Sequence, residues 1–88
     1  MAAVKVIVNE PLAGMLGIEG GEIIVRVSGK ITILQALKCA GIDLHRPEIQ
    51  GRFMIICNNE IVPAGFRAQS AYVGPGDVIE LLPVAAGG

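Results

Sequence analysis

Residues 32–41, TILQALKCAG, decide the fold class of this 88-residue chain. Thr32 suits a helix N-cap, and Gln35, three residues later, completes a capping box. Apolar residues then recur at helical spacing, while Gln35 and Lys38 fall on the opposite face. Gly41 is a natural stop for the helix. The segment predicts an amphipathic helix of about nine residues, which is too short to be stable alone and needs a sheet to pack on.

Strand patterns lie on both sides of this helix. The five predicted strands are Val4–Val8, Glu22–Val27, Phe53–Cys57, Glu60–Val62 and Val78–Leu82. The connection between the first two is too short for a parallel crossover, so they are expected to form an antiparallel hairpin. Within that connection, Leu12, Met15 and Leu16 fit one helical turn that caps the core. The order β-β-α-β-β-β predicts an α+β roll, in which one main helix lies across one face of a mixed sheet.

Composition excludes several classes of protein. With 52% hydrophobic and 17% charged residues, the chain is not expected to be disordered. Three aromatic residues and a net charge of −1 give neither the stacking platforms nor the basic patch of a nucleic-acid-binding protein. No apolar run approaches the roughly 18 residues of a membrane span, and the N-terminus does not resemble a signal peptide. We therefore expect a cytoplasmic protein with no nucleic-acid partner and no membrane contact.

The residues that could hold a metal or a cofactor are few. Cys39 and Cys57 are far apart, and His45 is the single histidine, so the usual zinc or iron–sulfur ligand sets cannot be assembled. Both cysteines are expected to be reduced and buried, Cys39 as a small hydrophobic residue of the helix. Glycines 14, 17 and 20 imitate a phosphate-binding loop, but no Gly-Lys-Ser/Thr follows them. We predict no metal site and no bound cofactor.

The last six residues are Pro83-Val84-Ala85-Ala86-Gly87-Gly88. Because Pro83 is expected to end the final strand, the sequence predicts a folded domain over residues 1–82 and a flexible C-terminal tail over residues 83–88. One interpretation is simple fraying of a terminus. The other is chemical: a terminal glycine has no β-carbon, so its carboxylate can pass through a narrow channel into another protein's active site.

The helix-bearing strand pattern, the Gly76-Asp77-Val78-Ile79 turn and the Gly87-Gly88 terminus resemble the ubiquitin-like sulfur carriers. These are the small subunit of molybdopterin synthase and the thiamine sulfur carrier. The resemblance covers nearly the whole chain and implies a β-grasp (ubiquitin-like) fold. It also implies that an E1-like adenylyltransferase consumes ATP to adenylate Gly88, which then becomes a thiocarboxylate and donates its sulfur. The chain would be a protein cosubstrate rather than an enzyme.

The resemblance also implies which residues meet a partner. Pro83, Val84, Ala85, Ala86 and Gly87 would line the channel that leads to the partner's active site. Two further apolar residues, Phe66 and Leu81, belong either to the core or to an apolar docking patch. The sulfur acceptor would be the large subunit of molybdopterin synthase or thiazole synthase.

The two branches of the family are harder to separate. The opening Val4–Ile7 strand, the long loop with Pro11-Leu12 and Gly17, and the chain length resemble the molybdopterin type. In contrast, Asn59–Pro63 and the Val84–Gly88 tail look more like the thiamine carriers. We expect a role in molybdopterin biosynthesis. The alternatives are thiamine thiazole synthesis, ubiquitin-like protein modification and a non-catalytic interaction module.

Overall fold

The structure is a computed structural model that describes residues 2–10, 12–43, 53–62 and 71–83. In chain order its elements are β1 (Ala3–Val8), α1 (Leu12–Leu16), β2 (Gly21–Arg26), β3 (Ile31–Thr32), α2 (Ile33–Cys39), β4 (Phe53–Cys57), β5 (Glu60–Val62), β6 (Tyr72–Val73) and β7 (Val78–Pro83). The predictions for His45, for Phe66 and for residues 84–88 lie outside the described residues.

The main sheet is mixed, with five strands in the order β2-β1-β7-β4-β5. β1 pairs antiparallel with β2 and parallel with β7, while β4 pairs antiparallel with both β7 and β5. The predicted β1–β2 hairpin is therefore confirmed. The strand that leads to the C-terminal tail lies in the centre of the sheet, where it has a neighbour on each side.

Helix α2 forms where the capping box predicts it. The Gln35 N–H donates to Thr32 Oγ1 over 3.1 Å, and the Thr32 N–H donates to Gln35 Oε1 over 3.0 Å. Ile33, Ala36 and Leu37 form its buried face. The prediction for Cys39 is wrong: as the last helical residue it lies on the exposed face. Burial continues instead through Ile42, which follows the glycine stop.

The core lies between the main sheet and the two helices. Strand alternation supplies its sheet side, because Val4, Val6 and Val8 of β1 point inward together with Ile79 and Leu81 of β7. Helix α1 confirms the predicted helical turn and buries Leu12, Ala13 and Leu16. Burying these side chains favours the fold because apolar surface is removed from water.

Sequence patterns did not show two of the strands. β3 and β6 are two residues long each and pair antiparallel as a separate two-stranded sheet, with Ile31 opposite Val73 and Thr32 opposite Tyr72. Such short strands carry too little alternation to be recognised. β7 also runs one residue further than predicted, since Pro83 pairs with Phe53 at the strand end, where the missing N–H is tolerated.

Candidate functional site

Strand β7 holds the base of the C-terminal tail. It is paired along both sides, with β1 and β4, and the side chains of Ile79 and Leu81 are fully buried. Pro83, its last residue, is half-buried and leads directly into Val84. The residue that precedes Val84 is therefore held in a strand that is paired on both sides.

A network of hydrogen bonds fixes the start of the same strand. Asp77 Oδ2 accepts from the Gly74 N–H over 2.7 Å, and Asp77 Oδ1 accepts from Asn58 Nδ2 over 3.2 Å. Asn58 Oδ1 in turn accepts from the Val78 N–H over 3.0 Å. Asp77 thus organises its turn and also joins that turn to the β4–β5 hairpin. Asn58 and Asn59 make that hairpin turn with positive φ angles of 51° and 69°, a region that asparagine tolerates.

The predicted partner-contacting residues fall into three groups: one is buried in the core, one is accessible, and the others lie outside the described residues. Leu81 is 0% exposed and belongs to the core, so it does not form the surface patch that was one of its two interpretations. Pro83 is accessible at the end of β7. The remaining predicted site residues lie outside the described residues: Phe66, Val84, Ala85, Ala86, Gly87 and Gly88. The neighbour of Leu81, Leu82, has the opposite orientation in the strand and is only half-buried.

The side of the sheet opposite the helices carries a largely apolar surface. We call it the outer sheet face and define it by the residues that alternate with the buried positions: Ala3, Lys5, Ile7, Glu22, Ile24, Arg26, Met54, Ile56, Ile61, Val78, Glu80 and Leu82. Ile61 and Ile24 are 69% and 58% exposed, which is unusual for large aliphatic side chains. An exposed apolar surface of this kind is typical of a protein-binding site.

A shallow cavity of about 260 Å³ opens on this face beside the β4–β5 turn. It is lined by Ile56, Asn58, Asn59, Val78 and Glu80. Glu80 Oε2 accepts a hydrogen bond from Asn9 Nδ2 over 3.2 Å, which orients the carboxylate across the face. The cavity therefore combines apolar walls with a carboxylate and two amide side chains.

The chemistry of the described side chains is limited. Burial raises the pKa of the Cys57 thiol above its usual value of 9.0, and the nearby carboxylates of Asp77 and Glu60 raise it further. The thiol is consequently protonated at neutral pH and a weak nucleophile. Over the described ranges, no three His, Cys, Asp or Glu side chains come together as a metal site. Neither α1 nor α2 is long and apolar enough to cross a membrane, and the described residues hold no other helix.

Sequence analysis missed the exposed isoleucines. Alternation within Glu60-Ile61-Val62 could have placed Ile61 outside, but three residues are too few to decide which face is buried. In β2 the alternation predicts that Ile23, Val25 and Val27 point inward and Arg26 outward, which leaves Ile24 outside, but the pattern did not single out Ile24 as a contact residue. Pairing with β1 settles the orientation, because Ile24 lies opposite the outward-facing Lys5.

Comparison with known proteins gives one further finding about the chain. The model of the ThiS family matches residues 6–88, which is nearly the whole sequence and includes Gly87 and Gly88. Among curated proteins, no match to the chain was found.

Proposed function

The chain belongs to the ThiS family of small ubiquitin-like sulfur carriers with the β-grasp fold, and we propose that Gly88 is the residue that carries the sulfur. Members of this family are not catalysts themselves; they work with an E1-like activating enzyme and a sulfur-accepting enzyme. The observation that supports the assignment of Gly88 is the family match extending through Gly87-Gly88, five residues beyond the fixed end of β7.

The proposed chemistry needs a free α-carboxylate at Gly88. A carboxylate is a poor acyl donor, so the partner enzyme first joins it to AMP from ATP and releases pyrophosphate. Hydrosulfide (HS−), supplied by a sulfur donor, then attacks the carbonyl carbon of Gly88; the bond to AMP breaks, AMP leaves and a thiocarboxylate remains. Cys57 is unsuited to attack the adenylate in place of hydrosulfide, because its raised pKa keeps the thiol protonated at neutral pH.

We propose that the partner enzymes bind to the outer sheet face. Part of this face belongs to the strand that precedes the tail in sequence, since Val78, Glu80 and Leu82 all lie in β7. From Pro83, the five following residues span at most about 17 Å when extended. A partner that docks on this face must therefore place its reacting centre within that distance of Pro83. The absence of side chains larger than valine in residues 84–88 suits a narrow channel.

Within this proposal, we assign the sulfur to molybdopterin biosynthesis, with the chain as the small subunit of the synthase. The assignment is supported by the long connection between β1 and β2, which resembles the molybdopterin type and contains helix α1 with three buried residues. The Asn59–Pro63 stretch and the tail, which look more like the thiamine carriers, favour thiazole synthesis as the second candidate.

The intact mass of the chain tests the central step. After incubation with ATP, a sulfur donor and the host's activating enzyme, we expect one C-terminal oxygen to be replaced by sulfur at Gly88. Deleting Gly88, or adding one residue after it, should abolish the mass change while leaving the circular dichroism spectrum intact. An unchanged mass of the parent chain, with the enzyme competent on another carrier, would refute the proposal.

A matched pair of glycine substitutions tests whether the tail enters a narrow channel in the partner enzyme. Gly87→Ala adds a β-carbon in the tail and should slow sulfur loading by about tenfold or more. Gly29→Ala adds the same atom at an open surface position with nothing within 4 Å, and loading should stay at the parent rate. Equal rates for both variants would contradict a channel that accepts only glycine.

The acceptor assay separates the remaining alternatives. Loaded chain mixed with either candidate acceptor should transfer its sulfur to the large subunit of molybdopterin synthase. Transfer to thiazole synthase instead would favour the thiamine role. Covalent attachment to lysine would indicate a modifier, and binding that survives the loss of Gly87 and Gly88 without any transfer would indicate an interaction module.

A further inference from the structure

Strand β2 (Gly21–Arg26) forms one edge of the main sheet. Among the described residues its strand partner is β1, on one side only. The N–H and C=O groups on the other side of an edge strand are available to a strand from another chain. Ile24, at the middle of this edge, is 58% exposed.

The hydrogen-bond pattern shows which residues of β2 face the free edge. The Val27 N–H donates to the Ala2 carbonyl over 3.2 Å, in the same register as the β1–β2 pairing. Bonded and non-bonded pairs alternate along an antiparallel ladder, so Val25 and Ile23 also direct their backbone groups toward β1. The backbone groups of the even-numbered residues, Glu22, Ile24 and Arg26, consequently point away from the sheet.

The side chains of Glu22, Ile24 and Arg26 match those of a second, antiparallel copy of the same strand. If a second copy of β2 lies antiparallel with Ile24 opposite Ile24, Glu22 comes opposite Arg26 and Arg26 opposite Glu22. Every pair then consists of residues whose backbone groups point at the other strand, so the bonded positions match. Oppositely charged side chains directly across two strands stabilise the pairing, whereas like charges weaken it. A shift by one residue would lose both the backbone and the charge match.

We propose that β2 pairs with β2 of a second copy of this chain, in the register that places Ile24 opposite Ile24. The two main sheets join into one ten-stranded sheet around a two-fold axis normal to it. The outer sheet faces of both copies then form one continuous surface. The two β7 strands lie five strand intervals apart, about 24 Å, and run in opposite directions. Pairing therefore leaves Pro83 and the surface beside β7 free for the partner enzymes.

Hydrogen exchange and sedimentation test this pairing on the full chain. Contact between two short edges buries little surface, so the dimer is expected to be weak and to form between about 10 µM and 1 mM. In the concentrated sample, the amides of Glu22, Ile24 and Arg26 should exchange at least about tenfold more slowly than in the dilute one. The amides of Ile23 and Val25, which already bond to β1, should show no concentration dependence.

Charge substitutions test the register. R26E places glutamate opposite glutamate and should weaken dimerisation by about tenfold. The double variant E22R/R26E exchanges the two charges and should restore dimerisation to within about threefold of the parent. K38E, at an exposed position of α2, changes the net charge by the same amount as R26E, and this variant should dimerise like the parent. Glu22 is not reversed alone, because its carboxylate lies 3.5 Å from Lys5 Nζ.

Several results would overturn the proposal. One is a chain that stays monomeric up to about 1 mM, the upper end of the expected range. Another is equal weakening by R26E and K38E, which would mean that the association responds to net charge rather than to this edge. Failure of E22R/R26E to recover dimerisation, with its circular dichroism spectrum unchanged, would also exclude the proposed register.

Discussion

The exposed side chain of Ile61 gives the sharpest prediction about partner binding. Ile61 lies on β5, opposite Ile56, and is 69% exposed on the outer sheet face. Burying a whole isoleucine side chain contributes about 1.5–3 kcal/mol, so covering the exposed two thirds contributes about 1–2 kcal/mol. Ile61→Ser should therefore weaken binding to the activating enzyme by about five- to thirtyfold.

Tyr72→Ser is the matched control for this substitution. Tyr72 is 66% exposed and also lies in a short strand, but that strand belongs to the separate β3–β6 sheet. Both variants lose a large exposed apolar side chain from a strand, so their effects on folding should be similar and small, about 0.5 kcal/mol. The two variants differ in location: Ile61 lies on the outer sheet face and Tyr72 does not.

Isothermal titration calorimetry with the activating enzyme measures the two affinities directly. The expected result is a weakened dissociation constant for Ile61→Ser and an unchanged one for Tyr72→Ser. If both variants bind as tightly as the parent chain, the enzyme does not cover Ile61. If both lose the same affinity, the loss reflects general surface hydrophobicity, and docking on the outer sheet face is refuted.

Three further predictions concern the folding of the domain. Leu81→Ala should lower the free energy of unfolding by about 2–5 kcal/mol in urea titrations, because the side chain is fully buried; a loss below about 1 kcal/mol would contradict its place in the core. Asp77→Asn replaces one acceptor oxygen by a donor, so either the Gly74 or the Asn58 bond is lost. The expected cost is about 1–2 kcal/mol, and an unchanged urea midpoint would count against the network. The raised pKa of Cys57 means that the unfolded thiol ionises first, so the free energy of unfolding should fall as pH rises above 9.0. Cys57→Ala should reduce this dependence of the free energy of unfolding on pH, whereas Cys39→Ala, at an exposed site, is the control and should not. Equal pH dependence in both variants would exclude Cys57 as the cause.

Local patterns were enough to predict much of the fold. The capping box at Thr32 and the strand pattern of β1 both depend on residues close together in sequence. Each is decided by backbone stereochemistry or by a hydrogen bond within four residues. For that reason the helix, the hairpin and the order of the longer strands were predicted correctly. The resemblance carried by the Gly-Asp turn and the Gly-Gly end was confirmed by the family match.

The one wrong prediction, the alternative left open for Leu81 and the two missed strands have a common physical origin. Cys39 was placed inside because it lies among apolar helix residues, yet helix rotation puts it on the exposed face. Leu81 and Leu82 are chemically identical neighbours, and only pairing with β4 and β1 shows that Leu81 faces the helices. The two-residue strands β3 and β6 exist only because they meet each other across forty residues of chain.

By itself, the sequence determined the fold class, the main helix and the chemical interest of Gly87-Gly88. Those features follow from local spacing and from the chemistry of individual residues. The tertiary structure alone decided that β7 lies at the centre of the sheet, that Ile61 is exposed, and that Glu22, Ile24 and Arg26 face an edge with no strand partner among the described residues. These depend on which strands pair and in which register, and register is set by contacts between distant residues.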